Sequence, residues 1–473
     1  MLASPQPARR SVSCMLLFCL AAAAGCTVGP RFASPKTTVP DAWAGAEASS
    51  EAAGLSRWWA AFNDNALVSL VERAVQSNLD LRLAESRIRQ ARAGVKVAES
   101  GGGPTLDASA SYSRSRSGAA NASGQYRTGF DAAWEIDLFG GVRRGVEAAG
   151  AEVQSAEENR RDVLVTLAAE VAYDYVQLRA YQQRILIARR NLEAQKRSAA
   201  LIREKFEGGF VGRLDVASAD AQVASTTAQI PLLEASAQQT IHALSVLLDR
   251  EPGALTQELA EPGEIPGAPP EAPLGVPADL LRRRPDVRRA EADIHAATAR
   301  IGVATADLYP KVSIGGSLGW QAGNPGSLFG ALSRFWSFGP SISWNLFNTG
   351  RTLSNIEIEK ALEEQSILTY RQTVLTAIRE VEDARVASAK EQERRKALLD
   401  AAAANRKAVE LSTKLYAEGQ TDYLNVISAQ QGLYSSEDSL VQSTQAMSVD
   451  LIALYKALGG GWQESPAPES PQP

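Results

Sequence analysis

The chain has 473 residues and a net charge of −5, and only 6% of its residues are aromatic. Few aromatic residues and abundant alanine favour long helices over a bulky globular core. All three cysteines lie at or before position 26, which excludes a disulfide framework or a cysteine metal site in the rest of the chain. No basic patch is interleaved with aromatic residues, so we expect no nucleic-acid partner.

Residues 1–25 have the form of a secretory signal peptide. Arg9 and Arg10 precede an apolar run, residues 12–24, that is too short to span a membrane. The small residues before Cys26 resemble a lipobox, which implies cleavage there and acylation of Cys26, and two or more acyl chains make a stable anchor. The alternative is an ordinary cleaved signal followed by an incidental cysteine. Loss of the two arginines leaves 54 acidic and 47 basic residues, a net charge of −7.

Residues 26–62 are predicted to be a lipid-anchored, extended tether, because proline and glycine interrupt the segment that follows the cysteine. The first structural repeat is predicted at 63–249 and opens with a helix. Apolar residues recur at helical spacing over 78–100, and the three glycines and the proline of 101–104 end that helix.

Two segments change to strand periodicity and are predicted to be β-hairpins, 105–139 and 311–347. In each, apolar side chains alternate with small or polar ones over strands of about ten residues, long enough to cross a bilayer at a tilt. A soluble hairpin packed on a core is the alternative, but no other part of the sequence offers a matching core. No run of about 20 apolar residues follows the signal peptide, so we expect any membrane crossing to be made by strands.

Four strands per chain are too few to close a barrel, since single-chain barrels begin at eight. Open strand edges in lipid would leave unpaired amides that cost several kcal/mol each. We therefore expect the chain to oligomerise, and a homotrimer would supply twelve strands.

Each predicted hairpin is followed by a very long helix and a shorter returning helix, at 143–207 and 214–248, then at 351–417 and 423–458. The first long helix contains no proline, and about 65 residues at about 1.5 Å each would span about 100 Å. A generic coiled-coil spacer is the alternative, but it does not explain the connection to paired strands. Apolar residues recur every seven positions, as in coiled coils, at Val171, Leu178, Ile185, Leu192, Ala199 and Phe206.

The second structural repeat is predicted at 278–458, after a linker at 250–277 rich in proline and glycine. The tail, 459–473, is predicted to be disordered. Two repeat offsets indicate two large, similar halves, which favour a pseudo-symmetric ring. Upstream of the hairpins, residues such as Asp80 and Asp286 match at an offset of 206, and at the turns the offset is 210. The matching residues are Gly209, Leu214, Val216, Ser218 and Ala219 in the first half and Gly419, Leu424, Val426, Ser428 and Ala429 in the second.

The sequence offers no catalytic motif. His242 and His295 each stand alone in a predicted helix, and the HExxH, Walker, nucleophile-elbow and GxGxxG patterns are absent. We therefore predict that the protein is not an enzyme and holds no cofactor or metal.

The run from Leu280 to Glu291 resembles the signature of TolC-like outer-membrane efflux lipoproteins of the OprM/NodT type. Segments 26–30, 58–62 and 134–140 resemble other motifs of that family, and the resemblance covers nearly all of the mature chain. It implies a mainly α fold in which a trimeric, twelve-stranded β-barrel in the outer membrane joins a twelve-helix periplasmic α-barrel. It also implies a periplasmic adaptor and an inner-membrane pump of the resistance-nodulation-division class as partners.

The resemblance places the functional residues at the two helix turns. It implies that Tyr416 helps to latch a closed periplasmic mouth and that Leu424 narrows it, with Asp215 as the acidic member of the latch. A latch arginine of some relatives would fall at Thr421, and their acidic ring would fall near Asn425 and Ser428, so we expect closure by packing and neutral hydrogen bonds. The implied adaptor contacts are Gly208, Gly209, Gly212, Arg213, Glu418, Gly419 and Asp422.

A simpler interpretation of the turn glycines is that they are left-handed helix caps. As a whole, the sequence predicts a passive trimeric duct that exports small molecules. Protein secretion of type I and metal-ion efflux are alternatives within the same architecture. A structural coiled-coil lipoprotein without a pore is the alternative outside it.

Overall fold

The computed structural model describes residues 27–37, 39, 40, 43, 55–116, 118, 121–267, 277–347 and 349–462. The predicted signal peptide, Cys26, residues 268–276 of the predicted linker and residues 463–473 of the predicted tail lie outside this set. The chain divides into two compact units. The strand unit comprises residues 27–37 with Ser86–Glu157 and Arg289–Gln372, and the helix unit comprises Thr38–Glu85, Glu158–Arg288 and the chain from Thr373 onward.

The strand unit contains one antiparallel sheet of order β1-β2-β3-β4. Its strands are β1 (Thr105–Ser115), β2 (Ser123–Ile136), β3 (Lys311–Ala322) and β4 (Arg334–Ser343). The register is regular throughout, so odd-numbered residues of all four strands share one face of the sheet. The outer edges of β1 and β4 have no partner strand within the described part of the chain.

The two faces of the sheet differ sharply. The odd-numbered face carries mostly serine, glycine and charged residues. The even-numbered face is apolar, and its large side chains are exposed in the single chain although water is a poor medium for them. These exposed residues include Leu106, Phe130, Leu318, Trp336, Phe338 and Ile342.

The strands end before the predicted hairpin ends, and the residues that follow them cap the long helices. After β2, Asp137 accepts hydrogen bonds from the backbone N–H groups of Val142 (3.2 Å) and Arg143 (2.9 Å). The long helix therefore begins at Gly141, two residues before the predicted start at 143. In the second repeat the corresponding helix begins at Thr349 rather than 351, and Thr349 Oγ1 donates to the carbonyl of Leu346.

Two tryptophans fasten the sheet to the helix ends that precede it. The indole of Trp134 donates to the carbonyl of Gly102 at 2.8 Å, and the indole of Trp344 donates to the carbonyl of Leu308 at 3.1 Å. The two bonds occupy corresponding places in the two repeats, because each donor lies near the end of a hairpin's second strand and each acceptor follows the helix before that hairpin. The duplication therefore extends to individual contacts.

The remaining helices follow the predicted order, with ends that shift by one or two residues. The shorter returning helices run from 213 to 247 and from 423 to 457, one residue away from prediction at most ends. In chain order the helices are α1 (Asn65–Ser77), α2 (Leu79–Ser100), α3 (Gly141–Glu207), α4 (Arg213–Leu247), α5 (Thr256–Leu259), α6 (Pro277–Arg283), α7 (Pro285–Ala306), α8 (Thr349–Ala417) and α9 (Tyr423–Ala457).

Residues Leu55–Phe62 form a 3₁₀ helix. The sequence predicts instead that they belong to the extended tether. The aromatic side chains of this helix are buried, and Trp58 stacks on Tyr455 with ring centroids 5.2 Å apart. Burial of large aromatic rings outweighs the flexibility that the flanking composition predicts. The tether prediction is therefore wrong for this stretch.

The tether prediction also differs from the structure near the start of the described chain, where residues 27–37 pack within the strand unit. The N–H of Val28 donates to the carbonyl of Phe139, and Phe32 stacks on His295 with centroids 4.4 Å apart. His295 also contacts Glu147 at 3.1 Å. The segment that follows Cys26 is thus fixed by specific contacts.

In each repeat, the side chain just before one helix caps the C-terminus of the returning helix. Asn78 Nδ2 donates to the carbonyl of Leu247 at 3.0 Å, and Arg284 Nη1 donates to the carbonyl of Ala457 at 3.0 Å. The donors immediately precede α2 and α7, and the acceptors are the last residues of α4 and α9. Both bonds satisfy a carbonyl that a helix C-terminus leaves without a partner. As expected from the sequence, Pro285 occupies the first turn of its helix.

Within the described residues, no helix combines the length and the apolarity that a membrane-spanning helix requires.

Asp174, on α3, gives the helix unit a pH-dependent weakness. Burial, reinforced by the charge of Glu170, raises the pKa of Asp174 to about 6. The folded protein then binds this proton more tightly than the unfolded chain, so stability falls as the pH rises from about 4 to about 6. A pKa change of this size corresponds to about 3 kcal/mol, which we reduce to about 1 kcal/mol because the carboxyl is partly solvated.

We therefore expect Asp174→Asn to raise the apparent melting temperature of the purified protein at pH 7.5 and to leave it unchanged at pH 4. Asp383→Asn is the matched control, because Asp383 is exposed and its only partner among the described residues is Arg379 at 3.8 Å. A gain for Asp174→Asn that is equal at both pH values would contradict the assignment.

Candidate functional site

The two turns between long and returning helices have the same backbone design. Gly209 and Gly419 adopt left-handed conformations, with φ of 78° and 73°. In the first turn, Gly209 N–H donates to the carbonyl of Phe206 and Phe210 N–H to that of Lys205. The second turn repeats both bonds at positions 210 residues later. This is the Schellman motif, and the left-handed residue explains both glycines without any ligand.

The returning helices begin differently in the two repeats. Asp215 accepts a hydrogen bond from the backbone N–H of Gly212 at 3.1 Å and so caps its own helix. At the equivalent place in the second repeat, Asn425 donates to the hydroxyl of Thr421 at 2.7 Å. The carboxylate of Asp215 is thus occupied by capping.

Behind the turns, an apolar cluster joins the two repeats within one subunit. We call it the tip cluster. Both long helices and both returning helices contribute residues to it, so the two helix pairs must keep their relative position for the cluster to stay packed. Its members are Ala199, Ile202, Ala219, Tyr416, Tyr423, Val426 and Ile427.

Tyr416 is a buried member of this cluster. Its side chain is 9% exposed, and its ring lies 5.4 Å from that of Tyr423. The Nζ atom of Lys205 lies 4.3 Å from the centroid of the Tyr416 ring, a cation–π contact. The Tyr416 hydroxyl is buried and has no hydrogen-bond partner among the described residues. Burial and then the charge of Asp215 raise the pKa of Tyr416, so the hydroxyl stays neutral.

The residues of the predicted constriction lie on the opposite, open side of α9. Leu424 is 52% exposed, and Asn425 and Ser428 are exposed beside it. The first repeat presents Leu214 in the same way, 70% exposed. The structure therefore separates the predicted gate residues into two groups: Tyr416 is packed in the cluster, and Leu424 with its neighbours faces outward.

Both turns, which carry the predicted adaptor contacts, are open to solvent. Gly208, Gly209, Gly212 and Arg213 are exposed, as are Glu418, Gly419 and Asp422. The first turn also exposes an aromatic ring, Phe210, at 83%. Position 420 in the second turn is glutamine, so the two turns differ in polarity.

Above the cluster, α9 is held by polar contacts on both sides. Tyr434 donates to Gln229 on α4 at 2.9 Å, and Asp438 pairs with Arg184 on α3 at 2.7 Å. Glu437 bridges Arg190 on α3 and Arg406 on α8. The site therefore consists of an apolar end near the turns and a charged belt farther along the helices.

The sequence predicts the turns and the importance of Tyr416 but not the partners that bury Tyr416. Ile202 and Lys205 belong to the other repeat, far from Tyr416 in sequence, and Tyr423 lies beyond the turn, so only the fold brings them to the ring of Tyr416. One signal was present: Phe206 is the repeat equivalent of Tyr416, which marks both positions as large and aromatic.

No group of three or more histidine, cysteine, aspartate and glutamate side chains in the described part of the chain is arranged to hold a metal ion. His242 lies 3.4 Å from Gln238 on its own helix, and His295 pairs with Glu147. Both histidines therefore contact protein side chains, one within its own helix and one on a different helix.

Comparison with known proteins identifies the architecture. The profile of the family described as outer membrane efflux protein matches residues 70–250 and 276–460, one match per repeat. Nodulation protein T of Rhizobium leguminosarum bv. trifolii is 32% identical over 449 residues, which cover 93% of this chain and 95% of that protein. The toluene efflux pump outer membrane protein TtgI of Pseudomonas putida is 32% identical, with coverage of 95% and 98%.

A solved structure of the outer-membrane channel OprN superposes on the chain with a TM-score of 0.85. The two are 38% identical, and the alignment covers 93% of this chain and all of the OprN chain.

Proposed function

The chain belongs to the outer membrane efflux protein family, and from this premise we propose that three copies form one passive exit duct for small molecules. The predicted family, fold class and location in the outer membrane, with extension into the periplasm, are confirmed by the matches. So is the predicted role as the outer-membrane channel of an efflux pump. Family members are channels rather than enzymes.

The sheet carries this proposal. Its even-numbered face is apolar and exposed, and the outer edges of β1 and β4 are unpaired within the described chain. In lipid, those edges must be paired, because each unpaired amide costs several kcal/mol. β1 and β4 have 11 and 10 residues, so the β4 of one copy fits the β1 of the next. Three copies would then close twelve strands around the polar face.

The helix turns form the closable mouth in this proposal. A periplasmic adaptor would bind the exposed turns, and an energised inner-membrane pump of the resistance-nodulation-division class would load the duct. Opening requires the tip cluster to exchange one packing for another, which adaptor contact would favour. The cargo would pass without any bond being made or broken.

The full lipidated protein, purified in detergent, tests the proposal by two measurements. We expect a mass three times that of the mature chain, and discrete channels in planar lipid bilayers. Leu424→Ser should raise the conductance, because it removes an apolar side chain from the proposed constriction. A monomer that forms no channel, with or without Leu424→Ser, would favour the structural coiled-coil lipoprotein.

A further inference from the structure

Phe335 differs in polarity from the other residues on its face of the sheet. It lies on the odd-numbered face, where its partner across β3 is Gly319. Every other odd-numbered residue of the four strands, all of which the structure describes, is small, polar or charged. In the proposed duct this face lines the lumen, so Phe335 is a large apolar ring on a polar wall.

A glycine beside this ring makes room for it, and a second glycine in the same row lets two strands approach closely. Gly129 and Gly319 face each other across β2 and β3, in the same row as Phe335. A methyl group added to Gly319 would lie 3.0 Å from Cε1 of Phe335 and 2.3 Å from the carbonyl oxygen of Thr128. One added to Gly129 would lie 2.5 Å from the carbonyl oxygen of Leu318. Gly319 therefore leaves room for the ring of Phe335, and Gly129 lets β2 approach β3 closely in the same row.

The guanidinium of Arg127 packs on the aromatic face of Phe335. Its Cζ atom lies 4.5 Å from the centroid of Phe335. Its own cross-strand neighbours are Ser111 and Gln321, and it forms no ion pair with any residue in the described part of the chain. An aromatic face attracts a guanidinium without neutralising its charge. The ring thus orders Arg127 and leaves its positive charge available to the lumen.

Farther along β1 and β2 from Arg127, the same face of the sheet carries negative charge. Asp107 and Asp131 are directly opposite each other on β1 and β2. Asp131 is four residues from Arg127, about 13 Å along an extended strand. That separation exceeds the Debye length of about 10 Å at 0.1 M salt, so the two layers act on a permeating ion separately.

We propose that Arg127, positioned by Phe335 beside Gly319, is a selectivity-determining residue that favours anionic solutes in the strand-lined part of the duct. This inference rests on the proposed duct function. Three copies would place three guanidinium groups in one layer, in series with the carboxylate layer of Asp107 and Asp131.

The test is the reversal potential of single channels under a KCl gradient, in protein that carries Leu424→Ser so that the turns do not limit the current. Arg127→Gln should shift the potential toward cation selectivity, with at least a twofold rise in the permeability ratio of K⁺ to Cl⁻. The shift should shrink in 1 M salt, where charges are screened within about 3 Å.

Phe335 is tested as a positioning residue. Phe335→Ala should shift the reversal potential in the same direction as Arg127→Gln, and Phe335→Tyr should restore the parent value because it keeps the aromatic face. Phe338→Ala is the matched control on the same strand: Phe338 lies on the even-numbered face and is 75% exposed, so selectivity should not change.

Channels whose reversal potential is the same for Arg127→Gln and the parent would overturn this inference and leave the duct intact. Equal shifts for Phe335→Ala and Phe338→Ala would also overturn it, since they would indicate a general disturbance of the sheet. Absence of channels in every variant would overturn the proposed function and this inference together.

Discussion

Arg284→Ala is expected to lower the stability of the helix unit by about 3–5 kcal/mol, the usual cost of removing one partner from a buried ion pair. The Arg284 guanidinium donates twice to Asp286, at 3.0 and 2.7 Å, and also to Glu380 at 2.6 Å and to the carbonyl of Ala457. Burial disfavours the charged guanidinium, but Asp286 and Glu380 outweigh it and raise the pKa of Arg284.

The same residue holds three helices together. Asp286 lies in the first turn of α7, Glu380 lies on α8, and Ala457 ends α9. Alanine would leave two acids and a carbonyl without their shared donor. The measurements are the apparent melting temperature and the yield of folded oligomer.

Two variants make this prediction specific. Arg300→Ala removes an exposed pair with Glu152, both about half exposed, and should cost no more than about 1 kcal/mol. Arg284→Lys keeps the charge but loses the paired geometry toward Asp286, so an intermediate loss is expected. If Arg284→Ala were no more harmful than Arg300→Ala, the buried network would not stabilise the fold.

The Arg284 network shows why the sequence predicts the repeat better than its contacts. The repeat offsets relate Asn78 to Arg284 and Leu247 to Ala457, and each pair makes the same donor-to-carbonyl bond. The residue types differ in both pairs, and the acceptor is a backbone atom. A comparison of side chains between the two repeats therefore cannot reveal these equivalent bonds.

Periodicity predicted the strands and helices because it reports directly on which side of an element is apolar. It failed at Leu55–Phe62, where flanking composition suggested a tether but aromatic side chains are buried. It also passed over Phe335, since one ring at the start of β4 looks like a continuation of the apolar residues around it. Only the strand register shows that this ring is on the polar face.

At the turns, the resemblance to efflux lipoproteins located Tyr416 but left the nature of the closure open. Neutral hydrogen bonds and packing were both expected. In the structure, Tyr416 is packed in the tip cluster and its hydroxyl has no partner among the described residues. Asp215 affects Tyr416 through its charge, while its carboxylate caps α4.

Packing and hydrogen bonding at Tyr416 predict different mutational results. Tyr416→Ala removes the ring, and truncation of a buried aromatic residue costs about 3–5 kcal/mol. If half of that cost falls on the closed arrangement alone, the ratio of open to closed channels rises by more than about tenfold, since about 1.4 kcal/mol is a factor of ten. Tyr416→Phe keeps the ring and deletes only an unpartnered hydroxyl, so open probability should stay at the parent value.

Single-channel recording in planar bilayers distinguishes the two mechanisms. Phe206→Ala is the matched control, since Phe206 is the repeat equivalent of Tyr416 but is 37% exposed and lies outside the tip cluster. We expect a high open probability for Tyr416→Ala only. If Tyr416→Phe opened the channel as well as Tyr416→Ala does, the hydroxyl would have a partner in the assembled trimer, and closure would depend on that bond. If all three variants behaved like the parent, the mouth would be held shut elsewhere, and the charged belt around Glu437 would be the next candidate, because it ties α9 to both long helices.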